Sequence, residues 1–535
     1  MIFGFADPAV NAVNAQVCKL WLNLALDALW EEIDDLPRLL SILSPLKRDM
    51  DSRYYEFEHP PSENDWKRFE KYATRVRRLN NCHEFSLGDD AFEILDQTRR
   101  RLEILPNLRA LKWGVWEELR GISIFMHSRV RKFAINLRKR QPLQIFFMDV
   151  VARMPDLAIL DISSMIPARY IQEDLIHLLQ GLPKLQSVTL PCFCFTTKIA
   201  ECLSHAEHLS SVDFHYDYDS EQVIGGSADV ALFNPTFIEG AFPLLSRLSI
   251  LVNFDDAARF VETPFSPNKL AHYYNDSYYS IDSPDSVRCL LSALSENYQL
   301  LEELELSSSL YPRTINLTDN PGYITLDTLR PIFKLPHLVI FQLHHLYPLL
   351  MTQEDVECLA SSCPALENLS LGVSTVYLTE ATLTLSALIP FAQHCPNLKY
   401  LGLFMDATAI KVPEISLAAA ARPFKSLQRL CVGHSIIDEW LAPAIYFSHL
   451  LAPDCEIKAT ALWNEVDADE ELCDIIEVRG RLWNSVKRLV PVLSKSAQER
   501  RHMRAIVEEL RANVAMLQDP MAIGARLDSL LAALA

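Results

Sequence analysis

The sequence predicts an α/β solenoid of strand–helix repeats, with a small all-helical module before it and a helical cap after it. Three observations predict this. An apolar triple spaced L-x-x-L-x-L recurs ten times between Leu108 and Val432. Proline stands two residues before seven of those ten triples. The intervals between triples carry apolar residues at helical spacing.

The elements follow in chain order. Residues 1–34 place Val13, Val17, Leu20 and Trp21, then Leu24, Leu29 and Trp30, at helical spacing. That pattern predicts an amphipathic helical pair, the kind of face that docks on a partner's helices. Residues 35–100 open on LPRLLSILSPL and are expected to be a helical linker and N-terminal cap.

The repeats are expected over 101–455. Their triples begin at Leu108, Leu157, Leu185, Leu209, Leu245, Leu301, Leu338, Leu366, Leu398 and Leu427. Two long gaps split at Val130/Phe133/Ile135 and at Leu270. Pro106, Pro155, Pro183, Pro243, Pro336, Pro364 and Pro396 precede seven triples. Proline cannot continue a helix and biases its predecessor toward extended geometry, so each is expected to close a helix and open a strand. PDSVRCLLSALSENY from Pro284 and QEDVECLASSC from Gln353 read as the intervening helices. The spacings fall in or somewhat above the leucine-rich-repeat range. One such unit cannot bury its apolar face alone, so stacking into a horseshoe follows.

Residues 456–535 read as helical. Leu472, Ile475, Ile476, Leu482, Val486 and Leu489 form one run, expected to break at Pro491. A second run carries Met503, Ile506, Val507, Leu510, Val514 and Leu517 and stops at Pro520. A last helix carries Leu527, Leu530, Leu531 and Leu534. A cap on the last repeat is preferred to a coiled coil, because the heptad is not held for three repeats.

Composition narrows the function. Only 14 of 535 residues are glycine, and no phosphate-loop, dinucleotide-loop, nucleophile-elbow or H-E-x-x-H motif occurs. The net charge of −19 is uneven. Residues 1–150 hold 23 basic and 22 acidic side chains, whereas residues 151–450 hold 16 and 33. A segment that acidic repels a phosphate backbone, so nucleic acid is not an expected partner. The N-terminus lacks a basic leader, and no apolar stretch reaches the length of a membrane span. Twelve cysteines without C-x-x-C read as reduced thiols, which predicts a cytoplasmic or nuclear protein.

Candidate chemistry is thin. His205, His208 and His215 with Asp217 and Asp219 lack a metal-site spacing, and Asp467 and Asp469 lack the loop glycine of an EF-hand. The basic run Arg129, Arg131, Lys132, Arg138, Lys139 and Arg140 reads as a solvated repeat edge. No cofactor, metal or catalytic residue is expected, and the chain is not expected to be an enzyme.

Two stretches carry a family resemblance. C-P-A-L-E-N-L-S-L from Cys363 and C-P-N-L-K-Y-L-G-L from Cys395 resemble the leucine-rich repeats of F-box proteins. Residues 1–34 resemble the second half of an F-box: an Ile-Phe pair, a D-P turn, V-C-x-x-W, then L-A and L-W. The matching positions are Ile2, Phe3, Asp7, Pro8, Val17, Cys18, Trp21, Leu24, Ala25, Leu29 and Trp30. The leading L-P-x-E segment and first helix of an F-box have no counterpart, so an F-box truncated at its N-terminus is expected. The resemblance is to the fungal-type F-box family with degenerate repeats.

That resemblance implies a substrate-recognition subunit of a Skp-cullin-F-box ubiquitin ligase, acting in protein degradation. A Skp-type adaptor would dock on Ile2, Phe3, Pro8, Val17, Cys18, Trp21, Leu24, Leu29 and Trp30. The alternative is a repeat scaffold for protein–protein interaction without a ligase. In x-L-x-L-x strands the leucines point inward and their neighbours outward. The outward set, and hence the expected substrate face, is Asp161, Asp213, Arg247, Glu303, Glu305, Gln342, His344, Asn368, Tyr400, Phe404 and Arg429.

Overall fold

The computed structural model describes residues 7–48, 54–82, 86–114, 119, 121–137, 143–215, 227–263, 269–277, 282–308, 322–379, 381–413, 423–460 and 470–518. The chain divides into two compact units, Met1–Tyr279 with Ser292–Leu301, and Ser280–Leu291 with Glu302–Ala535. Each has the strand-and-helix architecture of a leucine-rich-repeat solenoid.

The first unit is built on nine parallel strands in chain order. They are β1 (Glu32–Ile33), β2 (Arg78–Asn81), β3 (Ala110–Trp113), β4 (Lys132–Leu137), β5 (Ile159–Ser164), β6 (Ser187–Leu190), β7 (Ser211–Phe214), β8 (Arg247–Ile250) and β9 (His272–Asp276). The second holds six, also parallel and in order: β10 (Glu303–Ser307), β11 (Ile340–His344), β12 (Asn368–Leu371), β13 (Tyr400–Leu403), β14 (Arg429–Cys431) and β15 (Glu456–Lys458). Each of the ten triples, and each of the two positions that split the long gaps, begins two residues before one of these strands and runs into it.

The prolines act through a turn. In each of the seven cases the first leucine's N–H reaches the carbonyl three residues back, as from Leu157 to Met154 at 3.2 Å. Proline is then the second residue of the turn, where its fixed φ suits the geometry. The next two N–H groups share the carbonyl of the residue just before the preceding strand: Ala158 and Ile159 both donate to Arg131 at 2.9 Å. This backbone pattern fixes the strand register.

Packing follows the alternation. Leu111 and Trp113, Phe133 and Ile135, Leu160 and Ile162, and Val188 and Leu190 are inward and buried, as are Leu369 with Leu371 and Leu401 with Leu403. Each such side chain contributes about 1.5–3 kcal/mol on leaving water. The helices between strands start at ordinary caps. Thr352 and Asp355 form a capping box on Gln353–Ser362, and Thr196 accepts from the Ile199 N–H. The cysteine of the C-P-x-L form is structural. The Cys395 thiol lies 3.5 Å from the Ala360 carbonyl and 3.6 Å from that of Cys363, and burial pushes both thiols up to about 12.

The structure departs from expectation in three places. The ladder begins inside the module at Glu32–Ile33, and the supposed helical linker also holds strands at Leu46–Lys47, Tyr54–Phe57, Arg78–Asn81 and Ser86–Leu87. The ladder ends at Glu456–Lys458, past residue 455. The C-terminal helix does not break at Pro491 but runs from Glu470 to Gln518. Val490, Ser494 and Ala497 are buried on either side of the proline, and that packing offsets the missing hydrogen bond. Asp217, Asp219, Arg138, Lys139, Arg140, Asp467, Asp469 and the expected last helix lie outside the described residues.

Candidate interaction surfaces

The N-terminal module consists of two helices, Pro8–Asn14 and Lys19–Trp30. The Asp7 side chain caps the first, and Cys18 is the N-cap of the second. Val13 is 64% exposed, Val17 59% and Trp21 41%; Val10, Leu22 and Leu24 are exposed as well. Leu29 and Trp30 lie deeper, and the Trp30 ring packs 5.1 Å from that of Tyr72 in the helix Glu63–Ala73. Trp30 therefore fastens the module to the first repeats. Arg75 completes the fastening: it donates to the Asn23 carbonyl and side chain, each at 3.1 Å, and pairs with Asp27. Arg78 on β2 holds Glu31 at 3.0 Å and Glu32 at 2.9 Å. Ile2 and Phe3 lie outside the described residues, and Pro8 sits at the start of the first helix.

On the first unit, the outward residues line up in rows fixed by register. One row runs Lys112, Ala134, Asp161, Thr189, Asp213. His215, just past β7, reaches back with Nε2 to Asp161 Oδ1 at 2.6 Å. Asp213 accepts the Phe214 N–H at 2.9 Å. Arg247 is exposed on the neighbouring row.

On the second unit, one row runs Glu303, Ile340, Asn368, Tyr400, Arg429, Glu456. The next runs Glu305, Gln342, Ser370, Gly402, Cys431. Gln342 Nε2 lies 3.5 Å from Glu305, and Arg429 Nε donates to Glu456 at 3.0 Å. Gly402 keeps the floor low, since a Cβ there would come within 2.8 Å of Ser370 Oγ.

Two expected face residues are not on the face. Phe404 is 5% exposed and sits in an apolar cluster with Leu346, Val376, Tyr377, Leu378 and Leu472. It lies one residue past the end of β13, where strand alternation no longer applies. His344, the last residue of β11, is buried, and its Nε2 lies 3.0 Å from Gln342 Oε1. Burial holds its imidazole down at about 4, hence neutral.

Sequence reasoning passed over exposed Lys112 and Lys132, and Ile159, His272 and Tyr274 of the same sheet face. The alternation of the two gap-splitting triples places Lys132, His272 and Tyr274 there. What the sheet face of the first unit offers a partner is carboxylates, hydroxyls and the exposed cations Lys112, Lys132 and Arg247; that of the second offers carboxylates, amides and the half-buried Tyr400 ring. The Arg429–Glu456 pair is solvated, so Arg429→Ala is expected to change unfolding free energy by less than ~1 kcal/mol, measured by urea titration. A larger loss would mark the pair as structural.

Comparison with protein-family models finds no match, and no curated protein matches the sequence. Among solved structures, the chain is similar to one in the TLR13–ssRNA13 complex, with TM-score 0.33 and 14% identity over 78% of this chain and 53% of that one. It is also similar to a chain of the LRIM1/APL1C complex, with TM-score 0.28 and 12% identity over 85% of this chain and 70% of that one. The chain thus spans about half the length of the TLR13 chain it matches. No helix of the described residues is long and apolar enough to cross a membrane.

Proposed function

We propose that the chain is a substrate receptor of a cullin-based ubiquitin ligase, with no catalytic residue of its own. A Skp-type adaptor docks on the first two helices, and the sheet face holds a protein substrate. The observation that carries this reading is the exposed apolar face of Val10, Val13, Val17, Trp21, Leu22 and Leu24 on a module fastened by Arg75, Arg78 and Trp30. A face that apolar, held in a fixed pose, is suited to helix-on-helix docking. Its mechanism is positioning: tethering raises the effective concentration of substrate lysines at the transfer site. An intracellular, reducing compartment follows from that role.

The test is adaptor co-purification. Val17→Glu with Trp21→Ala is expected to abolish capture of a purified Skp-type adaptor while the melting temperature stays within a few degrees. Capture that survives the double substitution removes the adaptor from this face. A wild-type chain that captures no adaptor favours the second reading, a repeat scaffold without a ligase, for which the inward packing of Trp30 as a solenoid cap speaks.

A further inference from the structure

The basic run around residue 130 divides in two in the structure. Arg129 donates to the Pro106 carbonyl at 3.0 Å, and Arg131 pairs with Asp156 at 3.0 Å, as edge residues do. Lys132 instead opens β4 on the sheet face, between Ala110 of β3 and Ile159 of β5. Lys112 of β3 lies one row along, between Asn80 of β2 and Ala134 of β4.

The outward positions of β2, β3 and β4 hold Arg78, Lys112 and Lys132 among alanines and asparagines, and no carboxylate. The nearby acids are already engaged: Glu31 and Glu32 by Arg78, Asp156 by Arg131 and Lys184, and Asp161 by His215. Lys112 and Lys132 are exposed and enter no ion pair among the described residues; the same holds for Arg109, just before β3. Lys112 and Lys132 sit diagonally on adjacent strands, with Cα atoms about 8 Å apart by strand geometry. Ala110 and Ala134 fill the other diagonal, so no long side chain stands between the two lysines. In an extended peptide, alternate side chains fall on one side about 6.6–6.8 Å apart. Two flexible lysine stems match that span. Ile159, 37% exposed beside Lys132, adds an apolar contact. Farther along the row of Lys112 come Asp161 and Asp213, which confine an anionic ligand to these strands and disfavour a long polyanion such as nucleic acid.

We propose that strands β2 to β4 take an extended acidic segment of a partner protein, with Lys112 and Lys132 reading two carboxylates at alternate positions. Charge complementarity selects this occupant. The inference rests on the reading of the sheet face as the substrate surface, and not on the adaptor.

Selection from a displayed library of random short peptides against the full chain tests it. Peptides with Asp or Glu at alternate positions are expected to be enriched. Fluorescence anisotropy of a selected peptide is expected to show binding weakened about tenfold by Lys112→Glu with Lys132→Glu, at an unchanged melting temperature. Wild-type binding is expected to weaken as salt rises. The charge-reversed chain is expected to select Lys or Arg at alternate positions instead, and to capture adaptor as wild type does. A chain that captures no adaptor but keeps the acidic preference overturns the ligase reading and supports this one. Selection without acidic enrichment overturns the proposal, and so do acidic peptides that bind the charge-reversed chain as tightly as wild type. A single-stranded RNA homopolymer that binds through the same two lysines more tightly than any selected peptide also overturns it.

Discussion

Trp483→Ala is expected to cost about 3–5 kcal/mol of unfolding free energy, the range for emptying a buried aromatic site. Trp483 is fully buried in the terminal helix and stacks on Phe447, with centroids 6.1 Å apart and planes at 21°. Its Nε1–H donates to the Ser435 carbonyl at 2.9 Å, and Ser435 Oγ in turn accepts the Met405 N–H at 2.8 Å. Alanine leaves a cavity and strips a buried carbonyl of its partner. Trp483→Phe keeps most of the volume and loses the bond, so it is expected to cost about 1–3 kcal/mol. Urea unfolding followed by circular dichroism measures both. An alanine variant within 1 kcal/mol of wild type would mean that the helix is not part of the cooperative unit.

The same helix marks a limit of sequence reading. Phe404 and Leu472 are 68 positions apart in the chain but share one cluster. Nothing local to Phe404 announces a helix that arrives so much later. Arg479 is similar: its guanidinium donates to the Leu378 and His434 carbonyls, at 2.7 and 2.8 Å, and so ties two loops to one helix turn. Period-two alternation was a sound guide inside strands, where backbone geometry alone sets side-chain direction. It failed at strand ends, at His344 and Phe404, where tertiary cover decides.

The ten repeats were legible because each of their inward triples is apolar and is buried by its neighbours. The first and last strands were not, for the converse reason. Register places Asn81 opposite Trp113, and Ile33 opposite Leu79. The triples there read Val76/Leu79/Asn81 and Trp30/Ile33/Asp35, and at the far end Asp454/Ile457/Ala459. A polar residue breaks each pattern at the end of the ladder. The exposed face of the N-terminal helices was legible as an amphipathic pair. Which of its tryptophans turned inward was not, because Tyr72 supplies the partner ring from another element.

Acid is expected to unfold the second unit at a pH where ordinary carboxylates are still ionised. Three of its histidines are buried neutral: His344, His345 and His434 are each held down at about 4. Burial is the cause in all three, helped at His434 by the Arg479 guanidinium and opposed at His345 by the Asp282 carbonyl. His345 shows why the neutral form is needed. Its Nε2 lies 2.8 Å from that carbonyl, which requires the proton there, while Nδ1 accepts the Tyr347 N–H at 3.1 Å. A second proton would destroy the latter bond. In the unfolded chain these histidines titrate near 6.5. Between about pH 6.5 and 4 the unfolded state thus binds more protons than the folded one, so stability falls as pH falls. Each histidine removes on the order of 2 kcal/mol by pH 5 and about 3 kcal/mol by pH 4. Melting temperature is expected to be flat from pH 8 to 7 and to drop steeply below 6.5, with hydrogen exchange rising first in residues 302–460. His344→Gln is expected to shallow that slope by about one proton. A melting temperature unchanged between pH 7 and 5 would show that these imidazoles reach water in the folded protein.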